Sequence, residues 1–424
     1  MAETQNYCFL FFAILAFINV FIKKNGRVPC TYRFNGKTAI KISFCSLLSP
    51  NYKNRTNCIL LIGLYTYLCN MMKYQEYTDD AVALLKTLIA TPSVSRQEKK
   101  AAEVLAEAIR SYGFSHKREG NNVWITDPNF DTMRPTLLLN AHIDTVKPVN
   151  SWTREPFVPT IEGDRLYGLG SNDCGGGLVS LLQTFRFLTS KPQRYNVIYL
   201  ASAEEEVSGA NGISRVLPFV PLISTALVGE PTGMQPAVAE KGLMVLDIIA
   251  RGKSGHAARG EGVNAIYEAL EDLEWLHSYR FSKVSDFLGL TQMNVTMINA
   301  GTQHNVVPDT CTMVVDVRTN ECYTNREVYE IIKSHLKSEV SARSLRLSPS
   351  CIDTHHPLIR KAVSMGMQPF GSPTLSDQAL MPFPSFKLGP GESSRSHSAD
   401  EYIKISEIST AIDTYIKLLD GADL

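Results

Sequence analysis

The chain lacks an excess of charge of either sign, because its 42 Lys and Arg residues are matched by 42 Asp and Glu residues. Without a basic surplus, the composition gives no reason to expect a nucleic-acid partner. Apolar runs of membrane-spanning length are also missing, since the stretches over residues 8–22 and 58–69 are shorter than the about 20 residues that a helix needs. We therefore expect neither a nucleic-acid nor a membrane partner, in a chain long enough for two or more domains.

Several sequence signatures of catalysis are missing as well. The chain contains no H-E-x-x-H and no G-x-S-x-G, which excludes the zinc-helix and nucleophile-elbow sites that depend on them. The glycine-rich stretch that begins at Gly168 has Asp173 where a dinucleotide-binding fingerprint needs its last glycine. The four cysteines after residue 71 show no paired spacing, so we expect a reducing, cytoplasmic setting without disulfides or a thiolate metal site.

Residues 1–71 differ in composition from the rest of the chain. The first 70 residues contain eight Lys or Arg, one acid, Glu3, and five of the nine cysteines. No basic residue precedes the first apolar run and no A-x-A-like site follows it, which is unlike a secretory signal. We expect residues 1–71 to be an anomalous leader from a misassigned start, with the working protein beginning at Met71 or Met72. A membrane anchor is the alternative.

After Met72 the pattern of apolar runs indicates an α/β fold. Apolar strands alternate with helical stretches, as in a parallel sheet covered on both faces. The pattern of apolar residues changes after Gly242. From there the order β-α-β-β-α-β over about a hundred residues predicts an inserted ferredoxin-like domain. We therefore predict a catalytic domain in two parts, residues 72–242 and 351–424, separated by an α+β lid over residues 243–350.

Individual elements follow from local signals. Ser95 and Glu98 have the S-x-x-E spacing of a capping box, which predicts the start of an Ala-rich helix. Within the inserted part we predict one helix over 264–277 and a short strand over 345–347. The main predicted strands of the large domain cover 136–140, 196–201, 225–228 and 385–388.

Polar residues follow these predicted strands, at the end where open parallel sheets bind ligands. The candidates after a strand or just before a helix are His142, Asp173, Glu206, Glu230 and His397. Two imidazoles and three carboxylates can hold two Zn²⁺-like ions if one carboxylate bridges them, and Glu205 then remains as a general base. In the alternative reading, the acidic triplet Glu204–Glu206 is a solvated loop, Asp173 a helix cap and Glu230 a strand-end residue.

The motifs that contain these residues resemble those of the M20 family of di-zinc metallopeptidases and deacylases. In chain order they are NAHIDTV, GLGSNDCGGG, SAEEEVSG, VGEPTG, GKSGHAA, HNVVPD and GPGESSRSHSADEY, and the resemblance extends from about residue 78 to 419. The family includes acetylornithine deacetylase, which the chain resembles most, succinyl-diaminopimelate desuccinylase, aminoacylase-1 and glutamate carboxypeptidases. The resemblance implies a parallel-sheet zinc-hydrolase domain with an inserted lid that also serves in dimerisation.

The resemblance assigns metal ligands position by position. His142 and Glu230 would belong to one zinc ion, and Glu206 and His397 to the other. Asp173 would bridge the two ions, with Co²⁺ or Mn²⁺ as substitutes for zinc. The implied cofactor is therefore a pair of zinc ions.

Further residues are implied to act on the substrate. Asp144 would orient His142, and Glu205 would be the general base. His256 would polarise the scissile carbonyl, and in dimeric members this histidine reaches the partner subunit's site. The implied substrate-binding residues are Asn305, Arg318 and Arg395, of which Arg318 could hold an α-carboxylate with its two-pronged guanidinium. Both arginines could instead be surface residues.

The implied reaction is removal of the N-acyl group from an N-acyl-amino acid by a homodimer that associates through the lid. N-acetylornithine, or N-acetyl- or N-succinylcitrulline, is the expected substrate, in arginine biosynthesis. The alternatives are a succinyl-diaminopimelate desuccinylase, a dipeptidase, or an inactive paralogue that binds a metabolite. The chain departs from the family pattern at Gly175, where D-x-K-G-G has lysine, and at Leu169, where G-R-G has arginine. The missing lysine puts the electrostatics around the substrate in question.

Overall fold

The computed structural model describes residues 74–424 and, before them, the backbone of two short strands. These strands, β1 (Thr31–Phe34) and β2 (Thr38–Lys41), pair with each other in antiparallel register. The rest of the predicted leader over residues 1–71 lies outside the described residues, so a misassigned start or an anchor stays a prediction. Residues 74–424 form a compact unit of their own.

The helices and strands of this unit alternate along most of the chain. The helices are α1 (Gln75–Ile89), α2 (Lys99–Ser111), α3 (Gly176–Thr189), α4 (Ile213–Val216), α5 (Ala265–Glu268), α6 (Leu270–Ser278), α7 (Asn325–His335), α8 (Pro357–Ser364) and α9 (Ile405–Leu419). The strands are β3 (Lys117–Glu119), β4 (Asn122–Thr126), β5 (Thr136–His142), β6 (Thr160–Glu162), β7 (Arg165–Tyr167), β8 (Asn196–Ser202), β9 (Thr225–Val228), β10 (Ala237–Glu240), β11 (Gly242–Arg251), β12 (Gln292–Ala300), β13 (Thr310–Thr319), β14 (Glu339–Ala342), β15 (Ser350–Cys351), β16 (Phe370–Ser372), β17 (Ser385–Lys387) and β18 (Tyr402–Lys404). Among the residues that the structure describes, no helix combines the length and the apolar character needed to cross a membrane.

A mixed sheet forms the centre of the unit, in the order β15-β10-β17-β9-β5-β8-β4-β3, with β16 paired to β10. The four central strands β17, β9, β5 and β8 run parallel, while β15, β4 and β3 are antiparallel to their neighbours. Every residue of β5, β8 and β9 is buried, as expected for strands covered on both faces. The predicted α/β class is confirmed, and the antiparallel edges are features that the sequence pattern did not indicate.

Three helices cover one face of this sheet. Helices α1, α3 and α9 pack against one another, and α3 also lies on β5 and β8. Most residues of α3 are buried, because apolar side chains are spread around its whole circumference. Tyr415 of α9 donates a hydrogen bond at 2.5 Å to the carbonyl oxygen of Leu388, next to the end of β17. The last helix therefore holds one of the strand ends in place.

A second sheet has the order β12-β13-β11-β14, in which all neighbouring strands are antiparallel. With α5 and α6 between β11 and β12, and α7 between β13 and β14, it forms a β-α-β-β-α-β unit. Buried and part-exposed residues alternate along β11 and β13, so one face of the sheet is covered and the other is accessible. The ferredoxin-like insertion is confirmed, and its exact limits at residues 243 and 350 stay a prediction. A small third sheet pairs β18, β7 and β6.

Two local predictions are wrong, and one helix has a division that the sequence did not indicate. The helix predicted over 264–277 is present but is divided at Ala269 into α5 and α6. The segment predicted as a strand over 345–347 makes a single bridge, from Leu347 to Leu243, and β14 is the fourth strand instead. Ser95 does not cap α2, which begins at Lys99, because the Ser95 hydroxyl donates to the Asp144 carboxylate at 2.7 Å. A local pattern cannot show that a carboxylate distant in sequence competes for the same hydroxyl.

A buried ion pair joins β17 to the end of β10. The Lys387 ammonium lies 2.7 Å from a carboxylate oxygen of Glu240, and the two side chains are 3% and 1% exposed. The ammonium also donates to the Thr374 carbonyl oxygen at 3.0 Å, and Glu240 accepts from the Ser376 backbone N–H at 3.0 Å. Both charged groups are buried. Removal of either one therefore leaves the other without its opposite charge.

We expect Lys387→Met to lower the free energy of unfolding by about 3–5 kcal/mol, because Glu240 would keep a buried charge without its partner. Adding Glu240→Gln should recover part of that loss. The exposed pair of Arg251 and Glu339, at 3.1 Å, is the control, and Arg251→Met should cost less than about 1 kcal/mol. Urea denaturation followed by circular dichroism measures the free energy of unfolding of each variant. Equal losses in Lys387→Met and Arg251→Met would contradict the prediction.

Candidate metal centre

The carboxyl ends of the parallel strands bring polar residues to one edge of the central sheet. β5 ends at His142, which lies opposite Ser202, the last residue of β8. Asn140 of β5 lies opposite Val228, the last residue of β9. The acidic triplet follows β8 after one alanine and Glu230 follows β9 after one glycine, so the register of three strands places these side chains together.

Asp173 lies between two histidines. Its Oδ1 is 3.1 Å from His142 Nε2, and its Oδ2 is 3.6 Å from His397 Nε2. Glu230 Oε1 lies 3.6 Å from His142 Nε2, and Glu206 Oε2 lies 2.9 Å from His397 Nε2. The five residues predicted as ligands therefore form two groups that share Asp173. The His142 side chain is 1% exposed and that of His397 is 55% exposed, so the cluster opens to solvent on the His397 side.

The acidic triplet is buried, and its interpretation as a solvated loop is wrong. Glu204 is 7% exposed, and the side chains of Glu205 and Glu206 are 11% and 7% exposed. Glu204 accepts hydrogen bonds from the backbone N–H and the side-chain amide of Asn211. Glu205 and Glu206 instead face the histidines, and Glu205 Oε2 lies 4.0 Å from His142 Nε2. Three adjacent glutamates thus have different surroundings.

Asp144 holds the turn that carries the triplet. Its carboxylate accepts the backbone N–H groups of Glu205 at 3.0 Å and Glu206 at 3.2 Å, as well as the Ser95 hydroxyl. The Nδ1 atom of His142 is 2.9 Å from the Asp144 carbonyl oxygen and 3.6 Å from its carboxylate. Asp144 therefore orients the histidine ring mainly through its backbone carbonyl, while its carboxylate positions the loop with Glu205.

Burial and mutual repulsion oppose the ionisation of these acids. Burial raises the pKa of Glu205 well above its usual range, and burial together with the neighbouring Asp173 raises the pKa of Glu230 to about 8. The hydrogen bond that His397 donates to the Glu206 carboxylate raises the pKa of His397 to about 9. Bound dications lower the pKa values of such acids, because they stabilise clustered carboxylates as anions. Since imidazole nitrogen and carboxylate oxygen are also donors that zinc binds, the residues present fit a pair of divalent ions.

Glu401, to which the sequence assigned no role, holds the loop that carries Asp173. Its buried carboxylate accepts backbone N–H groups from Gly170 at 3.0 Å, Asn172 at 2.8 Å and Asp173 at 2.9 Å. Burial raises the pKa of this carboxyl to about 8. Glu401 belongs to the motif SHSADEY, but the motif does not show which backbone groups it meets. Three bonds to one short loop make it a positioning residue for Asp173.

Close packing explains the glycines of the same loop. A Cβ atom on Gly177 would lie 1.8 Å from the carbonyl oxygen of Gly229, and one on Gly175 would lie 2.4 Å from that of Gly170. Helix α3 can therefore begin directly against the strand end that carries Glu230. Gly175 is the position at which the family pattern has lysine, and this loop has no room for a side chain there.

Asp377 is another buried acid near the cluster. It accepts a hydrogen bond from the Ser202 hydroxyl, and Asn140 also contacts its side chain. Burial raises the pKa of Asp377 to about 7. The residue comes from the loop after β16, far from the strand-end motifs, so the sequence carried no signal that would bring it here.

The structure pairs the loops that carry two predicted lid residues, His256 and Asn305. The Ala257 N–H donates to the carbonyl oxygen of Asn305 at 3.1 Å, and the Val307 N–H donates to that of Gly255 at 2.9 Å. His256 is exposed and its Nδ1 accepts the Ala258 N–H. In the part of the chain that the structure describes, His256 contacts its own loop rather than the His142–His397 cluster.

Arg318 and Arg395 each face an acid outside the cluster. Arg318 makes two hydrogen bonds to Asp316, two residues earlier on β13, at 2.8 and 3.1 Å. Arg395 makes two hydrogen bonds to Glu407 of α9, at 2.7 and 2.9 Å, and its guanidinium also lies over the ring of Tyr402. A substrate carboxylate would have to replace an intramolecular partner at either position.

Comparison with known proteins assigns the chain to a family. The sequence profile described as peptidase family M20/M25/M40 matches residues 138–421, more than half of the chain. The chain belongs to the M20 family. It is 28% identical over 377 residues to acetylornithine deacetylase of Proteus mirabilis, covering 80% of this chain and 96% of the relative. It is 29% identical to acetylornithine deacetylase of Klebsiella pneumoniae, covering 76% of this chain and 92% of the relative. The predicted resemblance is confirmed. As a member of this family, the protein is a hydrolase that acts on amide bonds.

Solved structures of M20 proteins share the fold. An M20 family metallo-carboxypeptidase of Sulfolobus solfataricus superposes with a TM-score of 0.62 at 18% identity, over 80% of this chain and 98% of that one. The YXEP protein of Bacillus subtilis, described as a dinuclear metal-binding peptidase, superposes with a TM-score of 0.63 at 17% identity, over 82% of this chain and 99% of that one. At such low identity these likenesses establish the architecture and leave substrate choice open.

We expect Glu401→Gln to weaken zinc binding by about 10–100-fold, because replacing a residue that orients a ligand has effects of that size. The amide keeps one oxygen acceptor but places an NH₂ where the second oxygen stood, so it cannot accept all three N–H groups. Competition against a chromophoric zinc chelator measures the affinity. Glu392→Gln, an exposed change in the preceding loop, should bind zinc as the parent does, and a Glu401→Gln protein with unchanged affinity would contradict this role.

Proposed function

We propose that the protein is a two-metal amidohydrolase that removes the N-acyl group from an N-acyl-amino acid. The observation that carries the proposal is the placement of Asp173 between His142 and His397, with a further carboxylate beside each histidine. A pair of divalent ions held by this set would supply Lewis-acid polarisation of the acyl carbonyl and activation of a water. Family membership supports the reaction class.

In this proposal the five clustered residues would hold two zinc ions. His142 and Glu230 would serve one ion, Glu206 and His397 the other, and Asp173 would be shared. Co²⁺ or Mn²⁺ could replace zinc at such a donor set. When bound, ions of this kind polarise the acyl carbonyl and lower the pKa of a coordinated water toward about 7.

Glu205 is the proposed general base. It takes a proton from the attacking water and later donates it to the nitrogen of the leaving amine, so the carboxyl returns to its starting state. Its backbone N–H is held by Asp144 at 3.0 Å, so the base has a fixed position on the rigid edge of the sheet.

Three of the proposed substrate contacts lie in the lid. His256 would polarise the acyl carbonyl, Asn305 would bind the substrate, and Arg318 would leave Asp316 to hold the α-carboxylate. Arg395, from the second part of the catalytic domain, is a further candidate, and Glu407 binds it in this structure. Because His256 lies on an exposed loop, we propose that it acts at the site of a partner subunit. Exposed apolar side chains on the edge strand β12 and on α5–α6 support a homodimer through the lid. They include Tyr267, Leu270, Met297 and Ile298.

N-acetylornithine is the proposed substrate, with N-acetyl- or N-succinylcitrulline next. The support is the curated relatives, which are named acetylornithine deacetylase, and Glu230, which the family resemblance associates with deacylases. Arginine biosynthesis in the cytoplasm is the corresponding role. A desuccinylase of succinyl-diaminopimelate or a peptidase is the alternative, since a tripeptidase of Staphylococcus aureus shares the fold. A metabolite-binding paralogue without activity is disfavoured by the completeness of the five-residue cluster and Glu205.

We expect Glu205→Gln to lower kcat by about 10²–10⁴-fold without loss of bound zinc, because the amide cannot accept the proton. Initial rates on N-acetylornithine, N-acetylcitrulline, N-succinylcitrulline, N-succinyl-diaminopimelate and a dipeptide, with zinc or with chelator, measure this effect and identify the substrate. Glu204→Gln is the matched control and should keep most of its turnover. Activity of Glu205→Gln within a few fold of the parent, or turnover that survives metal removal, would contradict the mechanism.

Mixing two inactive variants tests the role of the lid histidine. If His256 acts across a dimer, Glu205→Gln and His256→Ala proteins should regain up to about a quarter of parental activity after subunit exchange, because half of the dimers are hybrids with one intact site. Rates before and after exchange, with light scattering for the oligomeric state, provide the measurement. Mixtures that stay inactive while hybrid dimers form would show that His256 acts within its own subunit or not at all.

A further inference from the structure

Cys174 lies in the candidate metal centre, although no motif assigned it a role. It follows Asp173 directly and is 1% exposed. Its sulfur accepts the backbone N–H of His142 at 3.2 Å and lies 3.5 Å from the carbonyl oxygen of the same residue. The sulfur, a ring nitrogen of His142 and a carboxylate oxygen of Glu230 all lie within 4.8 Å of one another.

These separations are close to those of atoms that share one ion. Zinc binds imidazole and carboxylate at about 2.0–2.2 Å and thiolate at about 2.3 Å, so two donors on one tetrahedral ion are about 3.3–3.8 Å apart. Glu230 and His142 are 3.6 Å apart, and Asp173 is 3.1 Å from the same histidine nitrogen. The Cys174 sulfur lies next to this group, within 4.8 Å of a ring nitrogen of His142 and of a carboxylate oxygen of Glu230.

The cysteine spacing predicted no thiolate metal site, because such sites are recognised in sequence by pairs of cysteines. A single sulfur among nitrogen and oxygen donors leaves no such pattern. Only the fold places Cys174 beside His142, since the glycine-rich loop must cross the end of β5 before α3 begins.

We propose that Cys174 is a sulfur ligand to the ion held by His142, Asp173 and Glu230, and that it biases this half of the centre toward thiophilic ions. The inference rests on the proposed function, which supplies the ion. On binding, the thiol releases its proton to solvent and the thiolate bonds to the metal. Since thiolate favours zinc over harder ions such as Mn²⁺, loss of the sulfur should change metal preference more than total metal content.

Cobalt substitution of the full chain tests the proposal without reference to activity. With two cobalt ions bound, the parent should show a sulfur-to-cobalt charge-transfer band in the near ultraviolet. Cys174→Ser and Cys174→Ala should lose that band, and Cys311→Ser, which changes a buried thiol on β13, should keep it. X-ray absorption of the zinc-loaded parent should show a sulfur neighbour at about 2.3 Å, a measurement that does not depend on how any variant folds.

Metal competition gives a second readout. Cys174→Ser should lose at least about tenfold of the parent's preference for Zn²⁺ over Mn²⁺, because the hydroxyl is a harder donor. A parent that binds two cobalt ions without the band, or a band that persists in both Cys174 variants, overturns the sulfur ligand and leaves the two-metal hydrolase standing. A parent that binds no cobalt or zinc overturns the proposed function together with this inference.

Discussion

Repulsion among closely placed carboxylates is the constraint on which the rest of this site depends. Asp173, Glu205, Glu206 and Glu230 are all largely withdrawn from water around two histidines. Acids that are buried together lose hydration and repel one another, so a fold keeps them there only if opposite charge and hydrogen-bond donors offset the cost. Divalent ions supply the opposite charge in the proposed function, and the protein itself supplies the donors.

Two further acids position the cluster through backbone N–H groups. Asp144 and Glu401 each accept several N–H groups and so fix the two loops that carry the base and the shared carboxylate. The loops are attached to strands and a helix whose side chains are buried on both sides. The cluster is therefore held by rigid elements, which is where a site that needs accurate spacing between charged groups has to lie.

The lid has a different physical character. His256 and Asn305 lie on exposed loops that are paired with each other, and the edge strand β12 presents apolar side chains to solvent. In the proposed function, amide hydrolysis belongs to the rigid cluster and substrate contacts come from the lid. At Gly175, where the family pattern has lysine, packing leaves no space for a side chain.

The sequence by itself determined the α/β class, the ferredoxin-like insertion, the family and the residues that gather at the strand ends. The family followed from the resemblance of the motifs, whereas apolar periodicity indicated the strands and helices. Successive parallel strands expose their carboxyl ends at one edge, which brings the polar residues together. Only the tertiary structure decided which partners those residues meet. Ser95 meets Asp144 instead of capping a helix, Glu401 meets the Asp173 loop, and Cys174 meets His142. Each of these contacts joins segments tens to hundreds of residues apart, and a hydrogen bond depends on positions in space that no local spacing encodes.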